Sequence, residues 1–474
     1  MSYDIESPYE FRKGFFSFSP KYFHKFFQYF SYLEYMQDNK NQLGLWTSTS
    51  LVIGNMIGAG VFMMPATLAS YGGISLVGWV CASIGAFLLS KVFANLSKLL
   101  PAANGGPYAY SQKGLGDFAG FLVAWCYLVS VWCTNAAITV SFISAMSTFI
   151  PALATNSLLA AFTGLATIWF LTWINSLGIV TSGKLQLITT ILKIVPIILI
   201  GLVGLFYIHW NNFLPFNTSG TSNIAAITAT TTLTFFAFLG IECATIPSGS
   251  VANSAATVAK ATTIGTLIAT AVYILSTVSI MGMIPAAQLK TSVTPFADAA
   301  IIIFGQGAQY WVSAGVAIAA FGALNGYILI QGQMPAAIAN DKLFPSIFAK
   351  QNSNGVPAMG VVISSIFVSV FMIMNYTKGL VAQFQFLILL TTSTIIIPYV
   401  FCTAAFIILK FKNNFKNNIA LMLTILLASL TFVFCIWIML GLGQETVFWG
   451  FFLTLFSVPI YVFAIIKRDK SLTQ

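Results

Sequence analysis

One carboxylic acid stands deep inside an apolar run. Of the eleven acidic residues in the chain, only Glu242 sits well within such a stretch, Phe235-Phe236-Ala237-Phe238-Leu239-Gly240-Ile241-Glu242-Cys243-Ala244. A charged or polar group surrounded by hydrocarbon is expensive, so its presence needs a reason. Three chemistries fit: a carrier of protons, a counter-charge for a cation, or a neutral acid hydrogen-bonded to backbone. A second unusual stretch is Gly54-Asn55-Met56-Ile57-Gly58-Ala59-Gly60. Three glycines in seven residues each weaken a helix by about 1 kcal/mol relative to alanine. Such a loss is tolerated where irregular backbone lines a cavity. There, free N–H groups and the positive end of the helix dipole would face an anionic group such as an α-carboxylate. Close packing of helices through small residues is the competing explanation. Lys193, in Thr190-Ile191-Leu192-Lys193-Ile194-Val195-Pro196, is the third oddity. It lies about two turns into an apolar run, so it either snorkels to the interface or acts as a cation tying its span to the glycine-broken one.

The elements that must position these groups follow from composition. Charged residues are 7% of 474 and hydrophobic residues 58%, with a mean hydropathy of +0.88. A soluble domain is about a quarter charged, so this surface must face lipid. A bilayer core needs roughly 20 apolar residues per helix. Long unbroken runs, rather than ten-residue alternation, select helices over a barrel. Twelve spans are expected near 46–71, 74–97, 117–148, 153–176, 185–208, 224–249, 261–285, 307–334, 357–375, 380–409, 418–440 and 446–466. Tyr71-Gly72-Gly73, Asn104-Gly105-Gly106-Pro107, Asn354-Gly355-Val356-Pro357 and Asn413-Asn414 punctuate them as loops.

With the N-terminus in the cytoplasm, Lys290 and Lys378 are the only basic residues in outside loops. Lys91 and Lys193 fall within spans, and the other 17 of the 21 basic residues lie on the cytoplasmic side. That asymmetry predicts an even number of spans with both termini inside. The same placement between apolar spans argues against reading the +10 net charge as a nucleic-acid surface. All six cysteines (Cys81, Cys126, Cys133, Cys243, Cys402, Cys435) lie in apolar stretches without metal-ligand spacing, which reads as packing. The basic, aromatic N-terminal 1–45 shows no signal-peptide cleavage site. Its Tyr22, Phe23, Phe26, Phe27 and Phe30, beside Lys21, His24 and Lys25, describe either an interfacial amphipathic helix or a loosely ordered tail. No hydrolase, kinase or metal motif appears. The glycine-rich stretch lacks the Lys-Ser/Thr ending of a phosphate loop, so no enzyme and no cofactor is expected. Tyr127, Trp132, Tyr327 and Tyr399 read by default as packing or interface anchors.

Several motifs together resemble the amino acid/polyamine/organocation (APC) superfamily. They are GNMIGAGVFMMP in the first span, GGPYAY at 105–110, FFAFLGIECA, IMGMIP at 280–285 with TPFADAA at 294–300, DKLFP at 341–345 and IIPY at 396–399. Within the superfamily the likeness is to the bacterial basic amino acid/polyamine antiporters, best of all the arginine/agmatine type, and it runs from about residue 44 to 465. It implies an all-α polytopic fold of about 12 helices. Two five-helix repeats of inverted, LeuT-like topology, 46–208 and 224–409, would be followed by two added helices in 418–466 and a cytoplasmic tail, 467–474. Spans 1 and 6 would break at mid-membrane.

The resemblance also implies roles. Asn55, Met56, Gly58, Ala59 and Gly60 match the stretch that holds the substrate's carboxylate and amino group, with Ala59 where the family often has Ser. Ser130, Asn135 and Ile138 match substrate-facing positions of span 3. Phe236, Leu239, Tyr327 and Thr391 match substrate contacts of spans 6, 8 and 10. Phe236 and Tyr327 stand where the arginine antiporters have Trp, which gives the better cation–π face. Tyr127, Glu242 and Tyr399 match a gating and proton-responsive cluster. Lys193 matches a lysine of proton-coupled relatives. The implied activity is exchange of a cationic amino acid (arginine, lysine or ornithine type) for its amine product or another amino acid in the cytoplasmic (inner) membrane. A homodimer is a further implication. The alternative is a proton-coupled symporter of neutral or varied amino acids, and a receptor without transport is the rival from another class.

Overall fold

The computed structural model describes residues 44–472 apart from 102, 104, 178–192, 247, 249–250, 252, 375 and 413–417. The expected N-terminal extension therefore lies outside the described residues, except for its last two positions. Helices account for nearly all the rest. Span 1 is α1 (Leu45–Met56) and α2 (Ala59–Ala69), interrupted at Ile57-Gly58. Span 2 is α3 (Ser75–Leu99), and the short α4 (Pro107–Leu115) leads into span 3, α5 (Asp117–Met146). Span 4 is α6 (Ser157–Ser176). The apolar helix α7 (Lys193–Tyr207) is the described part of span 5. Span 6 runs as α8 (Asn223–Phe235) into two single 3-10 turns, Phe236–Phe238 and Cys243–Thr245, either side of a break. Span 7 is α9 (Ser254–Met283), and α10 (Pro295–Phe304) crosses the following loop. Spans 8, 9, 10 and 11 are α11 (Ala308–Asn340), α12 (Ala358–Ile373), α13 (Leu380–Lys412) and α14 (Asn418–Leu440).

Among the described residues, eleven helices are long and apolar enough to cross a membrane, and span 5 joins them as a shorter piece. Two boundaries differ from expectation. Span 7 starts at Ser254 rather than near 261, because the Ala-Thr run after Asn253 continues the helix. The last span divides at Phe456 into α15 (Gln444–Leu455) and α16 (Ser457–Leu472), and α16 carries most of the expected tail as helix.

Burial separates a core from a periphery. The first and third spans are 94% and 89% buried, whereas the last two are 28% and 11% buried. Large side chains such as Leu440, Phe448 and Phe451 are turned outward there, the pattern of a lipid-facing surface. Span 3 therefore forms the central post, packed against spans 8, 9 and 10. The pairings recur at an offset of five. Span 1 packs on 7 as 6 packs on 2, and span 4 packs on 8 as 9 packs on 3. Spans 2 and 7, like 4 and 9, are counterparts under that offset, and 4 packs on 9 directly.

Small residues permit the two matched contacts. A Cβ on Gly265 of span 7 would come within 2.6 Å of Val52 Cγ1 in span 1. A Cβ on Gly78 of span 2 would come within 2.7 Å of Thr230 Cβ in span 6. Without a hydrophobic drive between helices in lipid, such close approach is what holds them. Gly78→Leu and Gly265→Leu should each lower the thermal midpoint of the purified protein, since overpacking costs about 1–3 kcal/mol. Gly44→Ala, with nothing within 4 Å of its Cβ, is the matched control. Midpoints equal to the control would discard the close-packing account.

Candidate functional site: a cavity between two broken helices

In an unbroken span 1 the carbonyl of Gly54 would accept from the N–H of Gly58. Here the Gly58 N–H turns back to Met56 O at 2.8 Å, and Lys193 Nζ donates to Gly54 O instead. Lys193 is fully buried. It does not snorkel; its ammonium replaces the amide hydrogen that the break removed. Span 6 breaks in the same manner. Leu239 is extended (ψ 137°) and Gly240 sits at φ +105°, in the region that favours glycine. Tyr273 Oη donates to Ala237 O at 2.8 Å, and Tyr327 Oη to Leu239 O at 3.3 Å. Three carbonyls at the breaks, of Gly54, Ala237 and Leu239, are thus capped by side chains of neighbouring spans, answering the need of backbone in lipid for partners.

The two breaks touch. A Cβ on Gly240 would lie 3.2 Å from Asn55 Cβ and 3.3 Å from Met56 N. Between them is a cavity lined by Asn55, Met56, Gly58, Thr134, Ile138, Phe236, Leu239 and Tyr327. Its free interior admits only a water-sized group. Neither amide atom of Asn55 has a hydrogen-bond partner, although the Cys243 thiol approaches it. The lining holds no charged side chain. Ala59 and Gly60 begin α2, whose first turn supplies N–H groups without intrahelical acceptors.

Both ends of the protein are closed over this cavity. At one end Tyr108 Oη donates to Asp341 Oδ2 at 2.6 Å, Gly105 N–H to Ile246 O at 3.1 Å and Ser248 Oγ to Ala103 O at 2.9 Å. At the other, Phe62 meets Phe296 of α10 edge-on, centroids 5.2 Å apart, and Ser144 Oγ donates to Val293 O.

Glu242 does not line the cavity. Its Oε1 accepts from Tyr127 Oη at 3.0 Å and its Oε2 from Tyr399 Oη at 2.7 Å, with the residue 2% exposed. Among the described residues it has no ion-pair partner. The acid and the glycine strip are joined through the span 6 backbone rather than facing each other across one space. Three other expected contacts also differ. Ser130 Oγ is spent on Tyr127 O at 2.7 Å. Asn135 donates to Gln331 Oε1 at 2.8 Å. Thr391 is buried with an unpartnered hydroxyl. None of the three lines the cavity in its closed form. Thr134 does line it and was not singled out from sequence, since a threonine in an apolar helix carries no distinguishing signal. Gln331 was missed for the same reason.

Residues 43–465 match the amino acid permease family. The chain belongs to that family. Similar proteins include the cadaverine/lysine antiporter of Escherichia coli strain K12, 31% identical over 436 residues, which are 90% of this chain and 96% of that protein. The arginine/ornithine antiporter of Pseudomonas aeruginosa is 29% identical over 86% of this chain and 88% of its own. The putrescine transporter PotE of Haemophilus influenzae is 27% identical over 92% and 99%. The permease is thus a membrane transporter of the APC superfamily, of the basic amino acid/polyamine antiporter kind, and not an enzyme.

Gly240→Ala in the permease places a methyl group 3.1 Å from Tyr327 Oη at a left-handed φ. Strain of about 1–3 kcal/mol should lower both the thermal midpoint and the affinity for substrate. Wild-type values of both would mean that the two breaks do not depend on this contact. Tyr399→Phe leaves Glu242 Oε2 without its donor and should cost about 1–3 kcal/mol, read as a lowered thermal midpoint; an unchanged midpoint would show the bond contributes little.

Proposed function

We propose that the permease exchanges a cationic amino acid for its decarboxylated amine, or for another amino acid, by alternating access. The site is the cavity between the breaks of spans 1 and 6, in the cytoplasmic membrane with both termini inside. The observation that carries this reading is Asn55: a buried amide, unpartnered on both oxygen and nitrogen, in a cavity flanked by a helix N-terminus and two aromatic rings. Leaving such groups unmade costs about 1–3 kcal/mol, which a polar ligand recovers on binding.

The N–H groups of the first turn of α2, from Ala59 and Gly60, attract the carboxylate. The rings of Phe236 and Tyr327 enclose the side chain and offer their faces to its cation. The carbonyl of Leu239, already shared with Tyr327, is a further acceptor. Thr391 and Asn135, each with one unpartnered buried atom, come into play as the cavity widens to substrate size, and Ser130 and Ile138 complete the span 3 wall. Rocking of two five-span halves, 46–208 and 224–409, would open one end at a time, a division that the offset-of-five pairings support. Glu242, held by Tyr127 and Tyr399, responds to protons or to the substrate's charge through the span 6 break. The names of the relatives support a basic amino acid on one side of the exchange and a diamine or ornithine on the other.

Flux in proteoliposomes tests this. Labelled lysine or arginine should enter only vesicles preloaded with an amino acid or diamine, and the Glu242→Gln variant should lose the pH dependence of that flux. Concentrative uptake into empty vesicles under a pH gradient would overturn exchange. It would favour proton-coupled symport instead, a reading for which the buried Lys193 on Gly54 O is the motivating feature.

A further inference from the structure

The amide of Asn135 is held in one orientation by a chain of hydrogen bonds that starts at a backbone carbonyl. Gln331 Nε2 donates to Val361 O at 3.3 Å and to Ser365 Oγ at 2.8 Å. A carbonyl only accepts, so the amino group of Gln331 must point at span 9 and its Oε1 must point at span 3. Oε1 in turn accepts from Asn135 Nδ2 at 2.8 Å, which leaves Asn135 Oδ1 as the free atom of that amide. That oxygen is buried and unpartnered. Ser365 Oγ also lies 2.6 Å from Thr172 Oγ1 of span 4, so the hydroxyl that receives the donor end of Gln331 is itself held by a second span, and Ser364 Oγ donates to the main-chain carbonyl of Gln331 at 3.1 Å. Asn135 follows Thr134 directly and precedes Ile138 by three residues. It therefore flanks, at helical spacing, the face of span 3 that lines the cavity.

We infer that Gln331 is a positioning residue for substrate selection: it fixes Asn135 with its carbonyl oxygen as the free acceptor, so that the site, once widened to substrate size, selects an ammonium donor over an uncharged or acceptor group. The inference rests on the cavity being the substrate site. An amide free to flip would offer NH₂ or oxygen alike and would discriminate weakly. One locked by Gln331 offers only an acceptor, and hydrogen bonds to charged donors are the stronger ones.

The experiment is competition of labelled lysine exchange by lysine, norleucine (no side-chain ammonium) and 6-aminohexanoate (no α-ammonium) in proteoliposomes. Gln331→Met removes both polar atoms at similar volume. It should cut the preference for lysine over at least one analogue by about tenfold, through KM, with the maximal rate changed by less than about twofold. Gln331→Glu keeps an acceptor oxygen toward Asn135 and should hold the preference at or above wild type. Unchanged preference in Gln331→Met overturns the inference while leaving the site intact, as does a preference lost equally in Gln331→Glu. If Gln331→Met fails to reach the membrane, Gln331→Glu decides alone, and loss of preference there overturns the inference. A wild-type protein carrying none of the three overturns the site reading and this inference with it.

Discussion

A helix that breaks inside a bilayer exposes peptide groups that no water can satisfy. Nearly everything around the centre of this protein answers that constraint. Gly54 loses its amide partner and receives the ammonium of Lys193; Ala237 and Leu239 receive the hydroxyls of Tyr273 and Tyr327. Three side chains from spans 5, 7 and 8 thereby hold open two stretches of backbone that would otherwise close into helix. Each cap also ties a broken span to a neighbouring one. The breaks are consequently part of the packing, and their geometry moves only when those neighbours move.

The sequence made some of this legible and hid the rest for a physical reason. Composition and run length gave the spans, because lipid demands apolar length and little else. The glycine strip of 54–60 marked a candidate break, since three glycines weaken a straight helix, but close helix packing uses glycines too, and only the fold decides between the two. Lys193 was ambiguous, because depth along a span says nothing about which way the side chain faces. Glu242 was visible as an anomaly, but its placement was not. Tyr127 and Tyr399 lie 115 and 157 residues away; the family resemblance grouped them with it, and the fold adds that both hydroxyls bond its carboxyl group away from the cavity. Asn135 was expected at the substrate, yet its partner Gln331 is 196 residues distant. Neutral amides and hydroxyls are common enough in transmembrane helices that nothing marks a pair of them in advance.

The closed state is held by few polar contacts at each end and by close packing elsewhere. At the end bearing α4, among the described residues, one tyrosine–aspartate bond and two bonds to loop backbone join α4 and the segment before it to the distal part of span 6 and the end of span 8. At the opposite end an aromatic pair and one hydroxyl–carbonyl bond bring α10 over the mouth. The glycine contacts of spans 1 with 7 and 2 with 6 are of another kind, lost only if whole helices separate. Opening one end while preserving the packed pairs is the motion this distribution of contacts favours.

Glu242 gains its meaning from this division. It sits two residues past Gly240, the point where span 6 touches Asn55 and Met56, and its two oxygens are bonded to tyrosines of spans 3 and 10. It therefore connects the mobile break to the central post without occupying the substrate's space. Under the proposed proton response, loss of its charge would weaken two charge-assisted hydrogen bonds, and with them the hold of spans 3 and 10 on the distal half of span 6. That half is the same segment whose Ile246 and Ser248 bond to the loop at the closed end. In that proposal only four residues of chain separate the carboxyl group from Ile246, whose carbonyl accepts at the closed end.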